Sequence, residues 1–459
     1  MTTTPTVPAT PAEALRGLCA GRVHLPGDPG YDAARTPWNL AVDQRPAAVA
    51  IPHSAEEVAE VVRAAVAAGL RVAPQSTGHG AGPLGEVALD DVVIVRLSEL
   101  TGVTVDPGAR TARVVGGTLW HDVVAAAAPH GLTAMHGSAG DVAVAGYALS
   151  GGLSFYGRTH GVAANSIRSV EVVTADGSLV RASASEQPEL FWALRGGGGN
   201  LGVVVALEID LLPYADVYAG MLLWPRDRAP EVVRAWAAWT DGVPESVTTS
   251  LRVMSFPPLP ELPPFLSGRQ LVVVDGAVLE GDERAAELLA PLRALEPEMD
   301  TFARIPATGL VAVHMDPPGP VPAVSDHAVL ASLPEEAISA YLAEIGPGTT
   351  TSLMFAELRH LGGALGRPVP DGGAISHVDG AYALYCVAPA PSPEVAALGR
   401  ADAVAMCAAL EPWTTGGRLV TFTDGAVDIS TGFGENWDRL RRARADVDPT
   451  RVFVANHGV

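Results

Sequence analysis

The stretch His136-Gly137-Ser138-Ala139-Gly140-Asp141-Val142-Ala143-Val144-Ala145-Gly146-Tyr147-Ala148-Leu149-Ser150-Gly151-Gly152 decides how this chain is read. It holds too much glycine for a helix and too much apolar surface for an exposed loop. Main chain packed closely on a large flat ligand accounts for that mixture, because glycine lets backbone approach where a Cβ would intrude. A glycine-rich core strand with turns is the alternative that the stretch alone leaves open. Two residues before Ser138 stands His136 and not glycine, so the nucleophile-elbow pattern is absent.

Upstream, Ser76-Thr77-Gly78-His79-Gly80-Ala81 directly follows an expected strand at residues 70–74. Gly78 and Gly80 free the backbone to turn its amides toward phosphate oxygens, and His79 stands between them as a nucleophile for an electrophilic ring carbon. Alone, the same residues read equally as a tight turn with an incidental histidine. Downstream, Gly197, Gly199 and Gly202 of Arg195-Gly196-Gly197-Gly198-Gly199-Asn200-Leu201-Gly202 satisfy G-x-G-x-x-G. A helical segment at 188–194 precedes them and a strand at 203–211 follows, the reverse of the order a dinucleotide fingerprint needs. NAD binding on this motif is therefore rejected.

Patterning supplies the elements around these blocks. Ser54-Ala55-Glu56-Glu57 is a capping box, and the helix after it sets Val58, Val61, Val62, Ala65 and Val66 on one face before stopping at Gly69. Strands are expected at 92–97, 103–105, 112–115 and 169–174, the last closed by an Asp176-Gly177 turn, with a helix from Leu119 to Gly131. Residues 1–30 read as a disordered or loosely ordered head, its Thr-, Pro- and Ala-rich opening most of all. The texture changes past Pro213. Proline-dense loops, strands at 271–274, 353–360 and 382–387, and Ala-rich helices such as 394–410 predict a sheet covered by helices on one side.

A chain of 459 residues is too long for one ordinary core and suggests two domains, one of them discontinuous. Acidic residues outnumber basic ones 51 to 30, a net charge of −21, which repels nucleic acid and anionic lipid. Lysine is absent, which removes Schiff-base chemistry and a Walker-type phosphate lysine. Cys19, Cys386 and Cys407 have neither disulfide-framework nor CxxC spacing, and histidines such as His121, His130, His360 and His377 lack HExxH spacing, so no metal site is expected. The opening residues carry no secretory pattern, and the longest stretch free of charged residues and histidine, 142–157, is shorter than the about 20 residues a spanning helix needs. A soluble, reduced, cytoplasmic protein is expected. No heptad fixes an oligomeric state.

Taken in order, the three glycine blocks resemble the berberine-bridge-enzyme-like branch of the vanillyl-alcohol-oxidase, or PCMH-type, flavoprotein superfamily. The likeness continues through Tyr156-Gly157-Arg158-Thr159-His160-Gly161, Val172-Val173-Thr174-Ala175-Asp176-Gly177 and Leu190-Phe191-Trp192-Ala193-Leu194-Arg195. It resumes in Asp448-Pro449-Thr450-Arg451-Val452-Phe453-Val454-Ala455-Asn456-His457, similar to the family's closing Asp-Pro…Phe…Asn. The lysine-free, Ala-, Arg- and Gly-rich usage suggests a high-GC bacterial source of actinobacterial type.

The resemblance implies an α+β fold in which two α/β subdomains surround FAD and a substrate domain, an antiparallel sheet under helices, covers the flavin ring. The FAD-binding domain would comprise residues 31–213 and a returning segment 420–459, with the substrate domain at 214–419. By the same likeness FAD would touch Ser76, Thr77, Gly78, His79, Gly80, Ala81, Gly137, Ser138, Asp141, Val142, Val144, Ala145, Gly146, Gly151, Gly152, Gly161, Val203 and Asn456. His79 matches the histidine that the family bonds to the flavin 8α carbon. Where many members attach a second time through cysteine, this chain has Ala139, so a single link is expected. Val142, at the position that tunes oxygen access, resembles the oxidase type and implies O2 as acceptor. The family's Tyr-x-Asn-Phe is replaced by Leu419-Val420-Thr421-Phe422.

Flavin oxidation also needs a base for the substrate's O–H or N–H proton. Glu357, His360 and Tyr385 are the candidates. Glu357 and Arg359 point one way at strand period two, poised to orient a substrate or to form a structural ion pair. The expected activity is oxidation of a small alcohol, amine or sugar-like molecule, or oxidative ring closure, as a tailoring step of secondary metabolism. A net non-redox cyclisation or isomerisation on bound flavin is the alternative.

Overall fold

The computed structural model describes residues 10–258, 260 and 263–459, so the Thr- and Pro-rich opening and part of the loop at Pro257–Pro260 lie outside the described residues. Among the described residues the strands form sheets of four, five and eight members. In the first sheet, Ala48–Ala50 and Arg71–Gln75 flank Val92–Arg96 in parallel, and Val23–His24 adds an antiparallel edge. Val93 and Val95 pack on one side against Val58, Val61, Val62 and Ala65 of the helix Ala55–Ala67. Ser54 Oγ accepts the Glu57 amide at 3.2 Å as expected, while the Glu57 carboxylate reaches back to the His53 amide at 2.7 Å. Val66, expected on the buried face, is 41% exposed, because it lies beyond the edge of the stripe that faces the sheet.

The second sheet is antiparallel, in the order Val103–Asp106, Thr111–Val115, Val203–Asp210, Ile167–Val173, Leu179–Ser183. The helix Pro188–Gly197 precedes the strand Val203–Asp210, the order that set the glycine run apart from a dinucleotide site. The glycine-rich stretch departs from expectation. It is not free of helix: Val144–Leu149 is a short helix inside it, and Gly157–His160 is another just beyond it. Gly146 stands exposed within the first and Gly157 opens the second, while Val144, Ala145, Ala148 and Leu149 present an apolar side to the core.

Residues 10–30 correct a second expectation, since they are not loosely ordered. Ala12, Leu15, Cys19, Val23 and Leu25 are buried in the core shared by the first sheet and its helix. Apolar anchors, too sparse to show a period, tie this segment down.

The third sheet is wholly antiparallel and runs Met299–Asp300, Asp216–Pro225, Gln270–Val278, Val247–Ser255, Phe355–His360, Tyr382–Pro389, Ala323–Leu330, with Ala303–Pro306 also paired to Asp216–Pro225. Helices Ala229–Thr240, Asp282–Arg293, Glu335–Ile345 and Pro393–Ala409 bury their apolar residues on one face of it, as the sequence predicts. The opposite face is partly polar and turns toward the glycine-rich stretch. The C-terminal residues return to the first sheet, where Phe453 bridges Val72 and the Val454 amide donates to the Val72 carbonyl at 2.9 Å. Asp448 fixes that return by accepting the Val452 and Phe453 amides at 2.8 and 2.9 Å.

Candidate flavin and substrate site

The strand Arg71–Gln75 delivers the loop Ser76–Ala81 at its C-terminal end, where parallel sheets commonly receive ligands. Gly78 has φ +82°, and a Cβ there would lie 2.6 Å from Pro37 Cβ, so both conformation and space demand glycine. Among the described residues no acceptor takes the amides of Thr77, Gly78, His79 or Gly80. A run of free amides of this kind is suited to phosphate oxygens. Asn456, on the returning C-terminal residues, places Nδ2 3.3 Å from the Cβ position of Gly80 and so closes the loop from the other side.

His79 is held on three sides. Its ring stacks on Trp38 with centroids 4.1 Å apart, Nδ1 lies 2.7 Å from Thr77 Oγ1, and Nε2 lies 3.6 Å from Asp141 Oδ1. Trp38 Nε1 donates to Asp141 Oδ2 at 2.7 Å. Burial pushes the Asp141 carboxyl up, but contacts with His79 and Trp38 outweigh it and hold it below the ordinary value. His79 Nε2 is itself buried with no aligned hydrogen-bond partner.

The glycine-rich stretch runs past this loop. Ser138 Oγ donates to Asp316 Oδ2 at 2.7 Å, and Gly140 approaches Val311, so the stretch is tied to the segment that follows the Ala303–Pro306 strand. Val142 is half-buried, its carbonyl taking the Trp120 amide at 3.0 Å. Gly137 is packed under Tyr147, while Gly146 on the short helix is exposed and a Cβ there would meet nothing within 4 Å. Gly151 and Gly152, with φ +103° and +72°, line a cavity of about 560 Å³ together with Leu153, Ile375, Leu419 and Thr421. Gly161 (φ +88°) ends the second short helix, and Val203 is buried at the head of its strand, in the first sheet's core. The free loop amides, the unpartnered His79 nitrogen and the open side of Gly146 fit a group with phosphates, a reactive ring carbon and a flat body, as FAD has.

Register places the catalytic candidates. Arg252, Glu357, Tyr385 and His327 stand opposite one another on successive strands, and so do Asp275, Ser250 and Arg359 in the next row. Side chains opposite one another share a face, here the face free of helices. Glu357 is fully buried; its Oε1 accepts from Arg359 Nε at 2.7 Å, and its Oε2 has no partner. Arg359 stands over the Phe422 ring, 5.1 Å from its centroid, and lines a cleft of about 20 Å³ with Ser138, Leu153, Phe155 and Ser250. Leu153 lines both cavities, so the cleft adjoins the larger space. Tyr385 stacks on Phe422 at 4.5 Å, and burial pushes its hydroxyl up to about 12.

His360 also lines the smaller cleft, but its ring does not join these groups. One residue on from Arg359, it turns to the helix side, where its ring stacks on Tyr382 and Nδ1 lies 2.9 Å from the Arg158 guanidinium. Burial and that cation push it down to about 3. Trp38, Asp275, His314 and Asp316 escaped sequence reasoning. None belongs to a periodic pattern or a motif, and only tertiary packing assembles them.

Comparisons with known proteins point to the same cofactor. The family described as "FAD binding domain" matches residues 46–183, and the one described as "Berberine and berberine like" matches residues 429–459. (R)-6-hydroxynicotine oxidase of Paenarthrobacter nicotinovorans is 37% identical over 206 residues, 44% of each chain. Xylooligosaccharide oxidase of Thermothelomyces thermophilus is 34% identical over 228 residues, 48% of this chain and 45% of that one. The alignments thus span under half the length of these relatives. A solved BBE-like 1 variant of Physcomitrella patens shares the fold over 98% of both chains, with a TM-score of 0.85 at 21% identity. Among the described residues no helix is long and apolar enough to cross a membrane, and no cluster suits a metal ion. The chain belongs to the berberine-bridge-enzyme-like, PCMH-type FAD-linked oxidoreductases.

Proposed function

We propose that this protein is an FAD-dependent oxidase for a small organic molecule with an oxidisable C–H beside oxygen or nitrogen, with O2 as final acceptor. The observation that carries this reading is the Glu357 carboxylate, fully buried on the polar face with one oxygen anchored by Arg359 and the other unpartnered. A buried acceptor left free is costly unless a substrate donor meets it, because its desolvation is otherwise uncompensated. Bound FAD would supply the two-electron acceptor.

The chain's own residues divide the remaining work. The amides of Thr77 to Gly80 hold phosphate, His79 is the single covalent anchor, and Ala139 offers no second nucleophile. Glu357 receives the substrate's O–H or N–H proton at Oε2, while Arg359 anchors Oε1: burial opposes the guanidinium charge, but Glu357 more than offsets it. Tyr385 and Phe422 form an aromatic wall beside them. Val142 supports O2 access, and the named relatives, oxidases of a hydroxynicotine and of xylooligosaccharides, support amines and sugars as the classes to try first. A tailoring step in secondary metabolism is the role proposed.

Mixing the enzyme anaerobically with a panel of cyclic amines, oligosaccharides and aromatic alcohols tests this. A substrate should bleach the flavin, and admission of air should restore the yellow colour. Consumption of a substrate without bleaching would replace the oxidase reading with non-redox turnover.

A further inference from the structure

Behind Glu357 lies a set of buried charges that the proposed reaction leaves unused. His314 follows the helical turn Ala307–Ala312 and is 1% exposed. Its Nδ1 lies 2.9 Å from Asp275 Oδ2 and its Nε2 lies 3.6 Å from Glu357 Oε1. The first contact is close but bent, an ion-pair approach rather than an aligned hydrogen bond. Asp275, itself fully buried, also pairs with Arg252 and accepts from Ser250 Oγ at 2.7 Å. Phe155, which lines the cleft, covers the imidazole with ring centroids 6.0 Å apart.

A neutral imidazole has one N–H, so it would turn a lone pair toward one of these two carboxylates. An imidazolium offers a proton to both. Charge balance points the same way: Arg252 and Arg359 offset Asp275 and Glu357, and Asp316, whose field reaches Arg359, leaves one negative charge for His314 to offset. Tyr147 and Tyr385 are the other titratable groups facing Arg359, and burial pushes both hydroxyls up, so neither supplies charge.

We propose that His314, set between Asp275 and Glu357, is a positioning residue that fixes Glu357 through Oε1 and sets the proton affinity of the oxygen that meets the substrate. Two cations then converge on Oε1, Arg359 from the sheet and His314 from beneath, and Oε2 alone is left for the substrate. Burial works against an ionised Asp275, yet His314 and Arg252 outweigh it and hold that carboxyl far below its ordinary range. The inference rests on Glu357 being the base.

The test is the pH dependence of anaerobic flavin reduction in the holoenzyme with the bleaching substrate, compared for His314→Gln and His314→Leu. Loss of the cation raises the proton affinity of Glu357, so the acid limb should move to higher pH, by roughly tenfold in proton concentration for the leucine variant and less for the glutamine variant, which keeps one donor. The alkaline plateau should stay within about threefold of wild type, since the base is fully ionised there in every variant. Profiles that superimpose on wild type overturn the proposal. Should either variant fail to retain flavin, Asp275→Asn and Ser250→Ala read the same limb from one contact further away, with a smaller displacement in the same direction; superimposable profiles in both would also overturn it. Glu357→Gln separates the two readings. If it reduces flavin at the wild-type rate, the base assignment itself fails; if it does not, and the His314 profiles are unmoved, only the present inference fails.

Discussion

His79 Nε2 and Asp141 Oδ1 lie 3.6 Å apart, with Trp38 stacked on the imidazole and donating to the same carboxylate. One tryptophan thus orients both partners. Asp141 opposes a single ring nitrogen, which directs the other, Nδ1, toward Thr77. Replacement of Asp141 by alanine should leave FAD binding in place and slow covalent attachment by roughly 10- to 100-fold, the usual cost of losing an orienting group. Acid-stable flavin followed over time after reconstitution measures this; attachment at the wild-type rate would show that Asp141 has no part in it.

Glu357 should be separable from the other two candidate bases. Glu357→Gln keeps the Arg359 contact through its amide oxygen and should slow flavin reduction by roughly 10²- to 10⁴-fold, the range for a lost general base. Tyr385→Phe retains the stack on Phe422 and should cost less than about tenfold, because a hydroxyl pushed up to about 12 is not a base near neutrality. His360→Gln should lower the melting temperature through its lost packing on Tyr382 and leave reduction unaltered. Anaerobic stopped-flow traces of the three variants decide among them, and a slow His360 variant of normal stability would reverse the order.

Gly78→Ala combines strain at φ +82° with a Cβ 2.6 Å from Pro37. The backbone term alone costs about 1–3 kcal/mol, and the loop must also shift the amides that face phosphate. Flavin content per protein should fall sharply while the far-UV spectrum is kept. Full flavin content would show that this loop does not carry the phosphate.

Asp424 supplies a pH test of the fold itself. Burial raises its carboxyl to about 6 against the hydrogen bond from the Ser325 amide. A folded value above the unfolded one favours the protonated form, so the contribution is present below about pH 4 and is lost as pH rises through about 6. Above that range the native protein carries a disfavoured ionised group. Asp424→Asn should therefore be more stable than wild type by about 2 kcal/mol at pH 8, with the gap closing toward pH 4. Melting temperatures across that range would contradict this if the gap were constant or widened on acidification.

How much of this was legible in the sequence differs by element. The loop around His79 could be read because glycine at Gly78 answers a local demand of backbone angle, and local demands leave local signals. Period two likewise set Glu357 and Arg359 on one side, where they meet at 2.7 Å. The same period separates His360, but strand alternation alone does not say which face meets the helices. His314 was illegible for another reason. It stands singly in an irregular proline-rich stretch and reaches Asp275 and Glu357 only because antiparallel pairing brings distant strands side by side. The short helix Val144–Leu149 was hidden because the glycine count outweighed the apolar side that Val144, Ala145, Ala148 and Leu149 make opposite the exposed Gly146.

The most direct test of the central claim is acid precipitation of the purified protein and of its His79→Ala variant. Yellow colour is expected in the wild-type pellet and in the supernatant of the variant, with a histidyl-flavin peptide and no cysteinyl one. A colourless preparation that takes up no added FAD would contradict the claim, and wild-type colour wholly in the supernatant would remove the covalent anchor.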